Sequence, residues 1–354
     1  MTSDGEHISL LSDLVEKARR GGADAADAIL AQSVSLSVVY RLGELEKLER
    51  SESADLGLRV LVGRRQAIVS SSERGREALD ALVERAVAMA RAVPEDPYCG
   101  LADPDELAAA LPDLDICDPH EPSSGQLVTL ARTAEEAALA VAGVTNSEGS
   151  QAGWGRTSVT LAGTNGFVHA RTGSGCSVSV SALAGEGASG MESDYDYASA
   201  VYFSDLRAPE DIGRAAGEGA VRRLGARKVP TRMAPVIFAP RVARGLLSHL
   251  VGAINGAAVA RGTSFLKDRL GESVFASPIT IIEDPHRRRG LHSKPCDGEG
   301  IATRRRALID AGVLTTWLLD LRSARQLGLR STGHAARGTS SPPSPSATNV
   351  YLEP

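Results

Sequence analysis

The side chains able to hold a metal or activate water are few and widely spaced. His286, His292 and Cys296 make an H-x5-H-x3-C series, the one cluster of metal-capable residues in the chain. Zinc ligands usually stand closer together or on one helix or strand. Here Arg287, Arg288, Arg289 and Pro295 interrupt the series, and neighbouring cations disfavour a dication. H-E-x-x-H and G-x-S-x-G are both absent, so neither zincin nor hydrolase-elbow chemistry is written in the sequence. Asp320, Ser331 and His334 could be drawn as a triad, but a Ser and a His three apart on a Gly-containing loop rarely take triad geometry. Glu192, Asp194 and Asp196 alternate as in a polar strand edge and lack the Gly and closing Glu of a calcium loop. Gly185 to Gly190 fits G-x-G-x-x-G after a strand. The acidic MESDYDY comes next in the chain where a phosphate cradle would need a helix, so a Gly-rich hairpin is expected instead. The runs Arg287–Arg289 and Arg304–Arg306 have no interleaved aromatics, and the formal net charge is -5; solvated surface or pairing with a partner protein is expected, not nucleic acid.

Chemistry so dispersed depends on the elements that hold it. At 354 residues two domains are the natural expectation. Four dispersed cysteines with no C-x-x-C argue against a disulfide framework or a zinc ribbon. The start MTSDGEHISLLSDL lacks a basic region followed by an apolar one, and no apolar run reaches a membrane span. A reduced, cytoplasmic setting is expected.

Residues 8–20 have helical apolar spacing, stopped by Gly21-Gly22. Residues 25–70 alternate as antiparallel strands, with GELEKLERSES as a turn or outer strand, and 73–92 read as an amphipathic helix. Residues 93–122 hold nine Asp or Glu and no Lys or Arg, an acidic, Pro-rich excursion expected on the surface. Ser123 caps a helix to about 142, and 144–203 read as strands with Gly turns, T-N-G closing one hairpin. Residues 209–224 are expected as a helix, Ala234 to Ala239 as a short buried strand, and Pro240 as the start of a further helix. Strands are expected near 279–283 and 312–320. The pattern is α+β: an N-terminal domain of antiparallel strands and helices over 1–225, then a β-rich domain over 226–354.

The last stretch is dense in Gly, Pro, Ser, Thr and charge between short β-like runs, where binding residues tend to sit. Its wording resembles the TldD/PmbA family: GAINGAAVARGTSFLKDRLGE, PITIIEDP, G-x-x-T-R-R-x-x-L-I at Gly300 to Ile309, and WLLDLRSARQLGLRSTGHAARG. MESDYDYASAVYFSDL and ARKVPTRMAPVIFAPRVA fit as well, so the likeness runs from residue 8 to 354 and is nearest the PmbA branch, also called TldE. The resemblance implies a cytoplasmic two-subunit metallopeptidase that trims peptides. The TldD branch carries H-E-x-x-x-H ahead of a G-T-S and so binds the zinc. Counting back from Gly262-Thr263-Ser264, the three motif positions fall on Leu247, Ser248 and Gly252, with His249 out of register. No zinc is therefore expected in this chain and none of its residues is expected to be catalytic; the zinc belongs to a TldD-like paralogue, paired with this chain as a heterodimer or higher oligomer. Arg261, Thr263, Ser264, Asp268, Arg304, Arg305, Ser331 and His334 are the candidate contacts to an extended peptide or to that partner. Two alternatives stand beside this reading: a non-enzymatic modulator of DNA gyrase or of a toxin target, and a self-sufficient homodimeric hydrolase using His286, His292 and Cys296. Family members continue past NVYLEP into a further Gly-rich β segment; either the sequence is truncated there or this protein lacks that portion, and exposed strand edges are expected if those strands complete the C-terminal sheet.

Overall fold

A computed structural model describes residues 4–186 and 190–353. Of the G-x-G-x-x-G string, residues 187–189 lie outside the described residues. Long alternating runs dictate the main element. Strands β1 (Ala25–Arg41), β2 (Glu44–Val62), β3 (Arg65–Ser71), β4 (Val144–Gly163), β5 (Val168–Ala184) and β6 (Glu192–Ala200) form one antiparallel sheet in the order β3-β2-β1-β4-β5-β6. The polar GELEKLERSES segment is the first half of β2, entered by a turn with Leu42 and Gly43 at positive φ.

The period of two sorts side chains between the sheet's faces. Ala26, Ala28, Leu30, Leu56, Leu58 and Val60 pack under helices α1 (Asp4–Arg20) and α2 (Arg76–Ala92). Val178, Val180 and Ala182 pack under α3 (Ser124–Leu139) and α4 (Pro209–Arg223). Ser123 caps α3 with a full capping box, its hydroxyl accepting from Gln126 N and the Gln126 side chain accepting from Ser123 N. Gly213 and Gly217 let α4 press on α3: a Cβ at Gly213 would stand 2.1 Å from the Ala134 carbonyl oxygen. The four helices thus cover one face of the sheet. The intervening positions, Asp27, Ile29, Gly57, Arg59, Leu161 and Arg171 among them, look the other way.

The C-terminal part meets that second face. It holds α5 (Pro240–Ala253), α6 (Gly256–Ala260), α7 (Leu321–Leu327), a sheet ordered β12-β7-β8-β9 (Val350–Leu352, Ile281–Glu283, Arg306–Asp310, Val313–Leu314) and a pair β10–β11 (Ala335–Ala336, Ser344–Pro345). Its core is Leu250, Ile254, Ile281, Leu308, Ile309, Leu314, Trp317, Leu318 and Leu319. The strand expected over 234–239 does not form: the segment is irregular, with Met233, Val236, Ile237 and Phe238 exposed. Pro230, Pro235 and Pro240 remove amide donors there, and an apolar run becomes a strand only when a ladder partner takes its backbone. The strand expected over 312–320 shrinks to β9, because Asp320 caps α7 by accepting from Ser323 N and Gly328 closes that helix at φ 68°.

The acidic 93–122 passage is a clamp as well as a surface. Ala102, Leu114 and Asp118 are buried. Asp96 accepts from Arg322 Nε at 2.7 Å and Leu101 O from Arg325 Nη2 at 2.7 Å. Asp115 accepts from Arg289 Nε at 2.8 Å, and that guanidinium lies 3.6 Å over the Tyr202 ring. The basic run Arg287–Arg289 is thus engaged within the chain at Arg289, and Arg288 also lies 3.3 Å from Asp115. No described helix is long and apolar enough to cross a membrane.

Candidate functional site

Three neighbouring cavities, of about 600, 380 and 350 Å³, line the seam between the sheet's second face and the C-terminal part. All three share Leu291, so they make one groove. Its floor is unusually bare. Gly155 pairs with Gly175 and Thr157 with Gly173 across β4 and β5, and these positions line the middle cavity beside Val159 and Arg171. The absence of Cβ atoms there leaves backbone and depth for an extended chain.

One wall of the largest cavity is α5, through Arg244, Leu247, Ser248 and Val251; the others come from Ser199–Val201, Arg287–His292 and Ala347–Tyr351. The ESDYDY string sets the position of α5. Asp194 accepts from Arg241 Nη2 at 2.7 Å and lies 3.4 Å from Arg223, while Arg241 and Arg244 stand over the Tyr195 and Tyr197 rings. Asp194 is thereby held below its ordinary carboxylate range: burial opposes ionisation, and the Arg241 hydrogen bond and charge overcome it. Asp194 thus ties α4 to α5, and Asp196 pairs with Arg207 just ahead of α4.

The zinc-motif positions can now be placed. Leu247 and Ser248 face the largest cavity and Gly252 is exposed on the same helix. An alkyl side chain and a missing one offer zinc no donor, and a hydroxyl is neither a usual ligand nor a base, so the set does not fit the metal. His249 is exposed beside them. His286 Nε2 is 3.0 Å from Thr303 Oγ1, His292 lies on the groove rim, and Cys296 is buried. Burial pushes the Cys296 thiol up to about 12, which keeps it protonated and a poor nucleophile. Among the described residues no group of three or more His, Cys, Asp or Glu is arranged to hold a metal ion.

None of the eight candidate contact residues lines these cavities, though His334 precedes Ala335 on the wall of the smallest. Arg261 and Thr263 end α6, Thr263 donating to Ala258 O; Asp268 is exposed. Ser264 is buried and accepts from Leu266 N. Arg304 is exposed and Arg305 lies 3.3 Å from Glu353. Ser331 donates to Leu319 O at 3.1 Å, and His334 is buried between Thr332 and Glu283. The glycines at i and i+2 in GWGRT and TGSGC, both on one face by strand periodicity, were the available signal for the groove floor.

Beneath the groove lies a buried ion network. Arg59 donates bidentately to Asp27, Nε to Oδ1 at 3.1 Å and Nη2 to Oδ2 at 2.5 Å, and Arg337 Nη1 reaches Asp27 Oδ1 at 2.7 Å. Burial alone would raise the Asp27 pKa; the Arg337 and Arg59 guanidiniums outweigh it and bring it down to about 2. Glu299, 3.9 Å from Arg59, is pushed up to about 8 by burial, since Arg59 already serves Asp27.

Comparison with known proteins decides the family. Three models match: PmbA/TldA metallopeptidase domain 1 over residues 26–90, the central domain over 117–224 and the C-terminal domain over 231–354. The chain belongs to the PmbA/TldD metallopeptidase family. Among its relatives in the family, metalloprotease PmbA of Escherichia coli O157:H7 is 40% identical over 316 residues, 89% of this chain and 70% of that protein. A PmbA homologue of Haemophilus influenzae is 36% identical over 92% of this chain and 72% of its own length. A Bacteroides thetaiotaomicron crystal structure titled a modulator of DNA gyrase superposes with TM-score 0.91 at 26% identity, covering 100% of this chain and 78% of that one. TldE of Thermococcus kodakarensis shares the fold, with TM-score 0.85 at 21% identity over 97% of this chain and 77% of its own. The PmbA/TldD fold therefore accounts for the α+β architecture.

Proposed function

We propose that this chain is the zinc-free partner subunit of a TldD/PmbA-type peptidase, working in the cytoplasm, and that its groove holds an extended peptide for a paralogue's zinc. The observation that carries the reading is α5 itself. It stands at the groove wall where a TldD-type helix would present zinc ligands and a base, yet it presents Leu247 and Ser248. The rest of the groove suits a peptide backbone: a glycine floor on β4 and β5, apolar Val159 and Leu291, and peripheral cations. The division of labour is then physical. This subunit supplies shape, depth and charge for binding, and the partner supplies the polarised water. The gyrase reading finds words in the titles of structural neighbours, but no feature of the groove favours it.

The test is reconstitution. The chain is mixed with the H-E-x-x-x-H paralogue from the same genome, and cleavage of an unstructured peptide is followed by mass spectrometry. Cleavage by the pair and not by this chain alone is expected. Filling the floor with Gly155→Leu, where a Cβ meets no atom closer than 3.5 Å, should lower cleavage by the pair at least ~tenfold while leaving the melting temperature in place. Cleavage by this chain without the paralogue would sink the reading.

A further inference from the structure

The smallest of the three cavities is lined by Arg171, His169 and Lys294, with the Asp297 carboxylate and the Asp27-paired Arg337 also on its wall. Arg171 and His169 stand two apart on β5, on the face turned to the C-terminal part, and Lys294 approaches from the loop after β7. Among the described residues Arg171 makes no ion pair with a carboxylate, and burial lowers its pKa from the ordinary range. Lys294 Nζ donates weakly to Ala335 O at 3.4 Å. His169 Nε2 is buried with no hydrogen-bond partner among the described residues.

The nearest acids make their hydrogen bonds elsewhere and reach Lys294 through space only. Asp297 accepts from the amides of Glu299, Ile301 and Ala335. Glu283 accepts from Thr348 N and Oγ1 and meets His334 Nε2. The bases meanwhile oppose one another. Burial, then the Arg171 charge, lowers His169; at Lys294 burial lowers the pKa, Asp297 and Glu283 partly restore it, and Arg171 opposes them. Like charges half-buried around an open cavity are a costly arrangement unless an anion completes it. Beside Arg171 and His169 on the same sheet face the lining is aliphatic: Val159 and Leu161 are their partners across β4 and β5, and Ile29 is next on β1. That pairing of cations with alkyl surface fits a charge carried at the end of an apolar residue better than a free inorganic anion.

We propose that this cavity is a carboxylate-binding subsite of the groove, with Arg171 and Lys294 holding the C-terminal carboxylate of an extended peptide and Ile29, Val159 and Leu161 receiving its last side chain. The inference rests on the peptide-groove reading and deepens it, but it is tested on this chain alone, without cleavage. A fluorescein-labelled pentapeptide ending in leucine is titrated by anisotropy as the free acid, as the C-terminal amide, and as an amide carrying a penultimate glutamate. Inorganic phosphate serves as a competitor.

The free acid should bind at least ~tenfold tighter than the plain amide, the scale of a charge-assisted hydrogen bond. Arg171→Met and Lys294→Met should each abolish that preference, with Arg171→Lys restoring part of it. Both methionine variants remove repulsion, so their melting temperatures should hold or rise. If the glutamate amide matches the free acid, the carboxylate comes from a side chain, and the subsite stands with that source. Equal binding of acid and amide would overturn the subsite and leave the groove reading intact. Phosphate that displaces no peptide yet protects the chain from thermal unfolding through Arg171 would overturn the carboxylate assignment. Acid discrimination with no cleavage by the reconstituted pair would instead remove the subunit reading and keep the subsite.

Discussion

Asp27→Ala is expected to cost the fold about 3–5 kcal/mol, the penalty for stripping a buried charge of its counter-ion. Asp27 is buried beneath the groove and receives both Arg59 and Arg337, whose side chains are almost fully enclosed. Without it two guanidiniums remain desolvated, with Glu299 the nearby acid, 3.9 Å from Arg59 and held mostly protonated at neutral pH. Urea denaturation would show the loss as a lowered midpoint with little change in slope. A variant within ~1 kcal/mol of the parent would contradict this role for the network.

The same network sets the pH response. Asp27 is depressed to about 2, so its contribution is complete above the ordinary carboxylate range near ~4 and is lost as pH falls toward 2. Glu299 has the opposite sign. Its pKa is raised to about 8, so it favours the fold below its ordinary range and progressively opposes it as pH rises through 8. Stability should therefore fall off on both sides, and Asp27→Ala should flatten the acid limb and, by freeing Arg59 for Glu299, soften the other limb as well.

Gly57→Ala carries the second large effect. A Cβ at Gly57 would stand 2.1 Å from Thr339 O and 2.7 Å from its Cα and carbonyl carbon, all backbone, which cannot swing aside as a side-chain tip would. Gly57 lies on β2 between Leu56 and Leu58, so the strand is fixed from behind by its core side chains. The segment around Thr339 must yield, and with it a wall of the smallest cavity. A cost of about 1–3 kcal/mol or more is expected, together with new proteolytic cleavage near residue 339. Gly245→Ala on α5 is the control: a Cβ there meets nothing within 4 Å, and helix propensity predicts a gain of up to ~1 kcal/mol. Unchanged stability and proteolysis in Gly57→Ala would contradict this packing of β2 against the Thr339 backbone.

What could be read from the sequence was what repeats locally. The period-two runs gave β1 through β5, the Ser123 signature gave α3, and Pro240 gave the start of α5. The run over 234–239 misled because apolar content mimics a strand whether or not a neighbour pairs with it. Helix α7 had its signals, the Asp320 cap and the Gly328 stop, but its seven residues hide inside a β-like stretch. The ion network was illegible: Asp27 meets Arg59 and Arg337, partners 32 and 310 positions away, and no spacing rule links them. The groove was missed for a related reason. In the family-like C-terminal stretch polar residues stand out, and several, such as Ser264 and His334, use their polar atoms inside the fold. The floor is marked by glycines, which announce a site only by what they lack.

On the proposed function, α5, with Leu247, Ser248 and Gly252 at the motif positions, is a groove wall and not a zinc helix. Its most direct test is elemental analysis of the purified chain after equilibration with zinc, beside the H-E-x-x-x-H paralogue treated identically. Far less than one zinc per chain is expected here, and close to one in the paralogue. Stoichiometric zinc in this chain, lost on changing His292 or His249, would contradict the claim.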